Sequence, residues 1–304
     1  MARYLLVDAN HLASRVRHAN ATLRTSDDRR SGVVHGVLRG LSWARNHLKV
    51  DYSRIICFWD GGRAASRLQI FPDYKSGRKQ PTNDEELQER KEYYSQIDAA
   101  IFGLLYAGIR EVKVAGTEAD DLLAIYAKFY ENQGDEVVIY SGDKDLHQLV
   151  SPSVSVFNGD RLLRVPEVLA AWGLPFIHLI PICKALIGDD SDAIPGVSQI
   201  GPKRAQLIAP YQHLVLSSSE RPKEIPESTW KWIEIARSSQ DVILRNLQLM
   251  LLPSSFERSY YTYEQAIQVV SQVSGDGMVL SMRRFIEFCR SWELVSVLEN
   301  LHHW

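Results

Sequence analysis

The chain has 304 residues, 45% of them hydrophobic, with 37 acidic against 35 basic side chains and a formal net charge of −2. That length can bury one large core or two modest ones. Three cysteines, Cys57, Cys183 and Cys289, with no CxxC spacing, exclude a disulfide scaffold and suit a reducing cytoplasm. The longest apolar run read from the sequence, at about 99–109, is too short to span a bilayer, and the N-terminus enters a strand with no signal-peptide pattern.

In chain order, a strand is predicted at about 3–8, ending at Asp8, followed by a helical pattern at about 33–49. A second strand at about 54–59 ends against Asp60, with Cys57 as a small core residue. The stretch from Gly61 to Glu92 breaks the alternation. It is basic at Arg63, Arg67, Lys75, Arg78 and Lys79, aromatic at Phe71 and Tyr74, then acidic at Asp84, Glu85, Glu86 and Glu89. Long insertions after a strand usually carry function, and Tyr74-Lys75 suits a grip on phosphate or single strand. Pro81-Thr82-Asn83 followed by acids predicts a helix start, with Thr82 or Asn83 as cap, and a helix to about 107. A short strand near 112–114 precedes a helix at about 119–133, opened by Glu118 and Asp120. A strand at about 136–141 precedes Asp143, Asp145 and a short helix near 144–149. Strands alternating with helices predict an α/β fold whose mostly parallel sheet is covered on both faces. Beyond about residue 165 the strand signal fades into short helices broken by Pro and Gly.

Eight carboxylates fall where these elements end: Asp8, Asp60, Glu118, Asp120, Asp143, Asp145, Asp189 and Asp192. One Asp after a strand usually caps a helix or makes a turn. Five junctions, three of them with paired acids, point instead to a cluster at the carboxyl edge of the sheet, where open α/β sheets bind ligands. Acids gathered there repel one another unless a cation lies between them. With no Cys or His among them the expected ion is hard, Mg²⁺ or Mn²⁺. Two such ions describe a phosphodiester-cleaving site. With these acids set aside the rest of the chain is net positive, which permits a phosphate-bearing partner.

The segment from Ile194 to Ala205 reads as a hairpin between helices. Gly196 and Gly201 are expected to allow close backbone approach, and Pro202 opens the next helix. Its amides, with Lys203 and Arg204, form an anion site of the helix-hairpin-helix kind, which holds duplex phosphates without reading bases.

Val7-Asp8-Ala9-Asn10, Phe71-Pro72-Asp73-Tyr74-Lys75, Glu118-Ala119-Asp120-Asp121, Ser141-Gly142-Asp143-Lys144-Asp145 and the run from Gly188 to Ala205 together resemble the 5′-nuclease family. It includes flap endonucleases, bacteriophage 5′→3′ exonucleases and the N-terminal nuclease domain of bacterial DNA polymerase I. The matches cover most of the first 210 residues, and Arg245-Asn246-Leu247 with Leu252-Pro253 extends them. The last 50 residues carry little signal.

The resemblance implies a PIN-like nuclease core at 1–165 with an arch or clamp insertion at about 61–95. A helical region at 166–304 would carry the helix-hairpin-helix at about 184–212. It implies a Mg²⁺-dependent flap endonuclease and 5′→3′ exonuclease acting on DNA flaps and branched junctions in replication and repair. Mn²⁺ is expected to substitute, and K⁺ to bind at the hairpin. Asp8, Asp60, Glu118, Asp120, Asp143 and Asp145 match one metal group, and Asp189 and Asp192 complete the other. Asp121 is expected behind the ligands. Lys75 and Arg78 match basic arch residues acting on the scissile phosphate, and Arg15 a phosphate-binding position. Ala193 stands where the family has Asn. A free-standing monomer is expected, with no membrane partner, in the cytoplasm (a host's, if phage-encoded). The alternatives are a PIN-like ribonuclease and a non-catalytic branched-DNA-binding protein.

Overall fold

A computed structural model describes residues 1–253 and 281–304. Six strands, β1 (Arg3–Asp8), β2 (Ile55–Trp59), β3 (Arg110–Lys113), β4 (Glu136–Tyr140), β5 (Val154–Phe157) and β6 (Leu162–Leu163), form one sheet in the order β3-β2-β1-β4-β5-β6. All neighbours run parallel except β6, which is antiparallel to β5. The chain winds outward from β1 to β3 on one side, then restarts beside β1 with β4. The carboxyl ends of β1 and β4 therefore flank the point where strand order reverses, the usual ligand crevice of such sheets.

The strands have apolar residues on both faces because helices cover both. Leu6, Ile56, Phe58, Val137 and Ile139 point into one core, and Leu5, Val7, Ile55, Cys57, Trp59 and Val138 into the other, following the period of two. The first core lies under α5 (Ala119–Asn132) and the helices after residue 165; the second lies under α1 (Ala9–Ala19), α2 (Gly32–Leu48) and α4 (Asp84–Tyr106). The insertion begins with a short helix, α3 (Ala65–Ile70), and Asn83 caps α4 by accepting a hydrogen bond from the Glu86 amide.

Four elements depart from the sequence reading. Helix α1 follows Asp8 without a gap; its apolar face is only Ala9, Leu12, Ala13 and Val16, flanked by Arg and His. The edge strand β3 starts two residues earlier than predicted, at Arg110. Strands β5 and β6 were not expected. The most extended apolar stretch is also not 99–109: Val165–Ile187 is as long and apolar as a membrane span. Here it folds as α6 (Val165–Trp172), a turn, and α7 (Ile180–Ile187). Gly173 ends α6 in the left-handed conformation, and α7 is largely buried in the core.

After α7 a two-residue ladder pairs β7 (Gly188–Asp189) with β8 (Ile194–Pro195), and α8 (Pro202–Ile208) follows. Next come α9 (Gln212–Val215), α10 (Glu227–Arg237) and α11 (Gln240–Met250). The helical region expected to reach residue 304 is described only outside 254–280. Its last helices, α12 (Met282–Ser291) and α13 (Val295–Leu298), return to the second core: Phe285, Cys289 and Val297 are buried with Val37, Leu41 and Leu104. Gly103 is a point of close approach there, since a Cβ would meet the Phe288 ring at 2.5 Å.

Candidate active site

Strand ends bring the acids together. Asp8 ends β1 and caps α1 by accepting from the His11 amide at 2.9 Å, while Ser141 Oγ donates to its other oxygen at 2.8 Å. Asp143 and Asp189 likewise cap short turns. The ordinary capping role and the clustering thus hold at once, because a cap uses one carboxylate oxygen. Asp60 follows β2 and is oriented by Asn10 Nδ2 at 2.7 Å and the Ala119 amide at 2.9 Å. The loops after β2 and β3 are stitched by Gly61 N to Thr117 O at 2.9 Å. Only glycine fits there, since a Cβ on Gly61 would fall 1.6 Å from the Val114 carbonyl oxygen. This seam places Asp60 beside Glu118 and Asp120 at the start of α5.

The acids feel one another. Burial pushes Asp8 up from 3.8 to about 7, against its two hydrogen bonds, with Asp60 and Asp143 adding to the rise. Burial also raises Asp60, helped by Asp120 and Glu118. Asp145 rises to about 6 through burial, with Asp143 and Asp189 pushing up and Lys184 pulling down. Burial works against Asp189 too, yet the Ser191 hydroxyl and the Lys184 ammonium hold it below its ordinary value.

Three basic side chains stand among these acids. Lys75 Nζ lies 2.7 Å from Glu118 and 3.9 Å from Asp192, and Lys184 bridges Asp145 and Asp189. Arg67, 1% exposed, reaches Glu118, Asp120 and Asp121. Arg78 is exposed and meets Asp192 at 3.2 Å. The eight acids are therefore linked through shared cations and mutual repulsion. Among the described residues, however, no three His, Cys, Asp or Glu side chains converge on a single ion position. The donor set itself fits a hard divalent cation, since it is all carboxylate oxygen.

The expected DNA contacts divide. Arg15 is exposed beyond the ends of β4 and β5, where it bonds the Tyr140 hydroxyl and the Asn158 carbonyl. Lys203 is exposed at the first turn of α8. Tyr74, expected to meet a strand, is instead 3% exposed and donates its hydroxyl to Glu118 at 2.9 Å, so it presents no face for stacking. Arg204, expected on phosphate, folds back: it donates to the Gln199 carbonyl and lies 3.7 Å over the Trp232 ring. Gly196 is needed for close approach, because a Cβ there would fall 2.0 Å from the Ile187 carbonyl oxygen. Gly201 is not; it has ordinary extended geometry and open space around it. Asp121 is fully buried beside Arg67.

Arg67, Lys184, Asn10 and Ser141 were not anticipated as parts of the site. Lys184 did leave a signal, as a lone cation within Ile180-Pro-Ile-Cys-Lys-Ala-Leu-Ile187. Helix α11 also holds the surroundings in place. Asn246 Nδ2 donates to the carbonyls of Ala185 and Pro195, each at 2.9 Å, and Gln148, in the turn after Asp145, donates to Met250 O at 3.0 Å. Cavities of about 220 and 430 Å³ flank Arg30, and none of the eight acids lines either.

The model of the 5′-3′ exonuclease N-terminal resolvase-like domain matches residues 3–173. The chain is 33% identical over 221 residues to a 5′-3′ exonuclease of Bacillus subtilis, covering 69% of this chain and 71% of that one. It is 36% identical over 210 residues to the thermostable DNA polymerase I of Thermus aquaticus, covering 68% of this chain and 23% of the polymerase. The chain thus spans about a quarter of the length of its polymerase relatives. The same fold is found in a bacteriophage T5 flap endonuclease solved with DNA and metal ions, with TM-score 0.68 and 21% identity over 95% of this chain and 99% of that one. It recurs in the T5 5′-exonuclease with bound zinc, with TM-score 0.67 and 21% identity over 97% and 99%. The extent of these matches settles the family: the chain belongs to the 5′-3′ exonucleases.

Proposed function

We propose that this chain is a structure-specific 5′-nuclease that hydrolyses DNA phosphodiester bonds at 5′ flaps and branched junctions. The observation that carries the reading is the set of eight acids at the carboxyl edge of the sheet and in the loop before the hairpin, with the basic insertion packed against that loop through Lys75 N to Asp192 O at 2.9 Å. In this reading Asp8, Asp60, Glu118, Asp120, Asp143 and Asp145 hold one Mg²⁺ group, and Asp189 and Asp192 complete a second. Mn²⁺ serves in its place, and K⁺ sits at the hairpin. A bound divalent cation supplies an acidified water and neutralisation of phosphate charge.

The protein's own groups do the rest. Lys75 moves its ammonium from Glu118 toward the phosphoryl oxygens, where charge develops. Arg78 adds a weaker contact from the same loop, and Arg15 holds a phosphate beside β4. Lys203 and the amides at the start of α8 grip duplex phosphates. Residues 1–165 act as the cutting unit, with the insertion at about 61–95 as its arch, and the hairpin at about 184–212 as its duplex grip. The protein works as a monomer in the cytoplasm.

The test is cleavage of a labelled 5′-flap DNA with and without Mg²⁺. Cutting near the junction only with the ion supports the reading. Cutting of RNA alone, or binding without cutting, refutes it. A bulky protein on the free 5′ end, added before the enzyme, should block cleavage if the strand threads the arch, and should not if added after the complex forms.

A further inference from the structure

Arg67 is a fully buried cation on α3, at the root of the insertion. Every edge of its guanidinium is used. Nε donates to the Leu249 carbonyl at 3.0 Å; Nη1 lies 2.5 Å from Glu118 Oε2 and 3.5 Å from Asp120 Oδ1; Nη2 lies 3.0 Å from Asp121 Oδ2. A charge is tolerated at such a place only when its geometry is well satisfied. Asp121, 0% exposed, anchors the inner edge of the fork. The other contacts reach Glu118 and Asp120, which stand at the start of α5 beside Asp60. A planar fork fixes the angle of carboxylates in a way that a point-charge ammonium does not. The Leu249 carbonyl adds a fourth tether, on α11, a different part of the fold.

We propose that Arg67 is a positioning residue that fixes the carboxylates of Glu118 and Asp120 for a divalent cation and ties their placement to α11. This rests on the metal-dependent reading above. Partners behind metal ligands typically change ion affinity or activity by about 10- to 100-fold when altered. Arg67→Lys keeps the charge and removes the fork, so it isolates geometry from electrostatics.

The experiment is a calorimetric Mn²⁺ titration of the DNA-free protein, alongside circular dichroism, thermal unfolding, and single-turnover cleavage of a 5′-flap DNA across Mn²⁺ concentrations. For Arg67→Lys the expected result is a folded spectrum and Mn²⁺ binding weaker by about 10- to 100-fold. The half-saturating Mn²⁺ for cleavage should rise by the same factor, with the rate largely recovered at saturation. Asp121→Asn, which loosens only the inner anchor, should shift Mn²⁺ affinity the same way by less. It carries the test if Arg67→Lys fails to fold.

A lowered melting temperature with unchanged Mn²⁺ affinity would overturn the inference, leaving Arg67 a structural ion pair. So would unchanged affinity in Arg67→Lys combined with tighter binding in Arg67→Gln, the signature of charge alone. Wild-type protein that neither binds Mn²⁺ nor cuts the flap would refute the proposed function itself, a separate outcome.

Discussion

Asp8→Asn should stabilise the ion-free protein at pH 8 while abolishing cleavage. In the fold Asp8 titrates near 7, against 3.8 ordinarily, because it is buried beside Asp60 and Asp143. A carboxyl whose folded value is raised binds its proton more tightly in the native state. Its contribution is therefore fully present below pH 3.8 and is lost as pH rises through 7. A rise of about three pKa units amounts to about 4 kcal/mol of stability forgone at pH 8. Asparagine removes that charge but supplies one acceptor oxygen where the carboxylate has two. It can keep the His11 amide bond and loses or reverses the Ser141 bond, at about 1 kcal/mol. The net gain at pH 8 should then be about 2–3 kcal/mol, shrinking to a small loss near pH 4. Urea denaturation in EDTA at both pH values measures it. Saturating Mg²⁺ should reverse the order, stabilising wild type and leaving the variant unmoved. A variant destabilised equally at pH 4 and pH 8 would show that Asp8 is an ordinary cap without electrostatic strain.

Four further outcomes are expected. Lys75→Ala should lower the single-turnover rate on the order of 10²–10³ with little loss of DNA affinity; equal losses would make it a simple phosphate contact. Lys203→Ala should flatten the slope of log affinity against log salt by about 0.9, whereas Arg204→Ala, whose guanidinium is engaged by Gln199 and Trp232, should leave the slope unchanged. Ala193→Asn should stabilise by about 1 kcal/mol in urea denaturation, because position 193 has φ of 58°, a conformation Asn accepts and Ala resists. Asn246→Ala strands the Ala185 carbonyl, while the Pro195 carbonyl keeps Arg245 Nη2 at 3.4 Å, and should cost about 1–3 kcal/mol, read from the same denaturation curves.

Much of the fold was legible because strand and helix signals were strong. Ile55-Ile56-Cys57-Phe58-Trp59 and Val137-Val138-Ile139-Tyr140 are apolar on both faces, as buried parallel strands must be. The missed elements were weak by the same measure. Helix α1 carries a narrow apolar face among charges, and β5 offers four residues without flanking helix signals. At the site, acids at strand ends were readable from order alone. Among the cations, Arg67 and Lys184 were not, because sequence shows charge but not direction. Tyr74 and Lys75 are adjacent in an insertion that reads as solvent-facing, yet both turn inward onto Glu118. Arg204 sits in a basic pair, yet Trp232, 28 positions later, draws it away. Such reversals are set by partners distant along the chain.

Helix α11 touches three things that sequence keeps far apart. Its Asn246 fastens the hairpin, its Leu249 carbonyl takes Arg67 at the root of the insertion, and its Met250 carbonyl takes Gln148 behind Asp145. It therefore acts as a gauge bar. In the proposed function, where the hairpin holds a duplex and the acids cut, the span between hold and cut is a constant of the folded chain, independent of DNA sequence. Product length should then be uniform across substrates of equal geometry, and it should spread when the bar is loosened at Asn246, before the chemistry itself is lost.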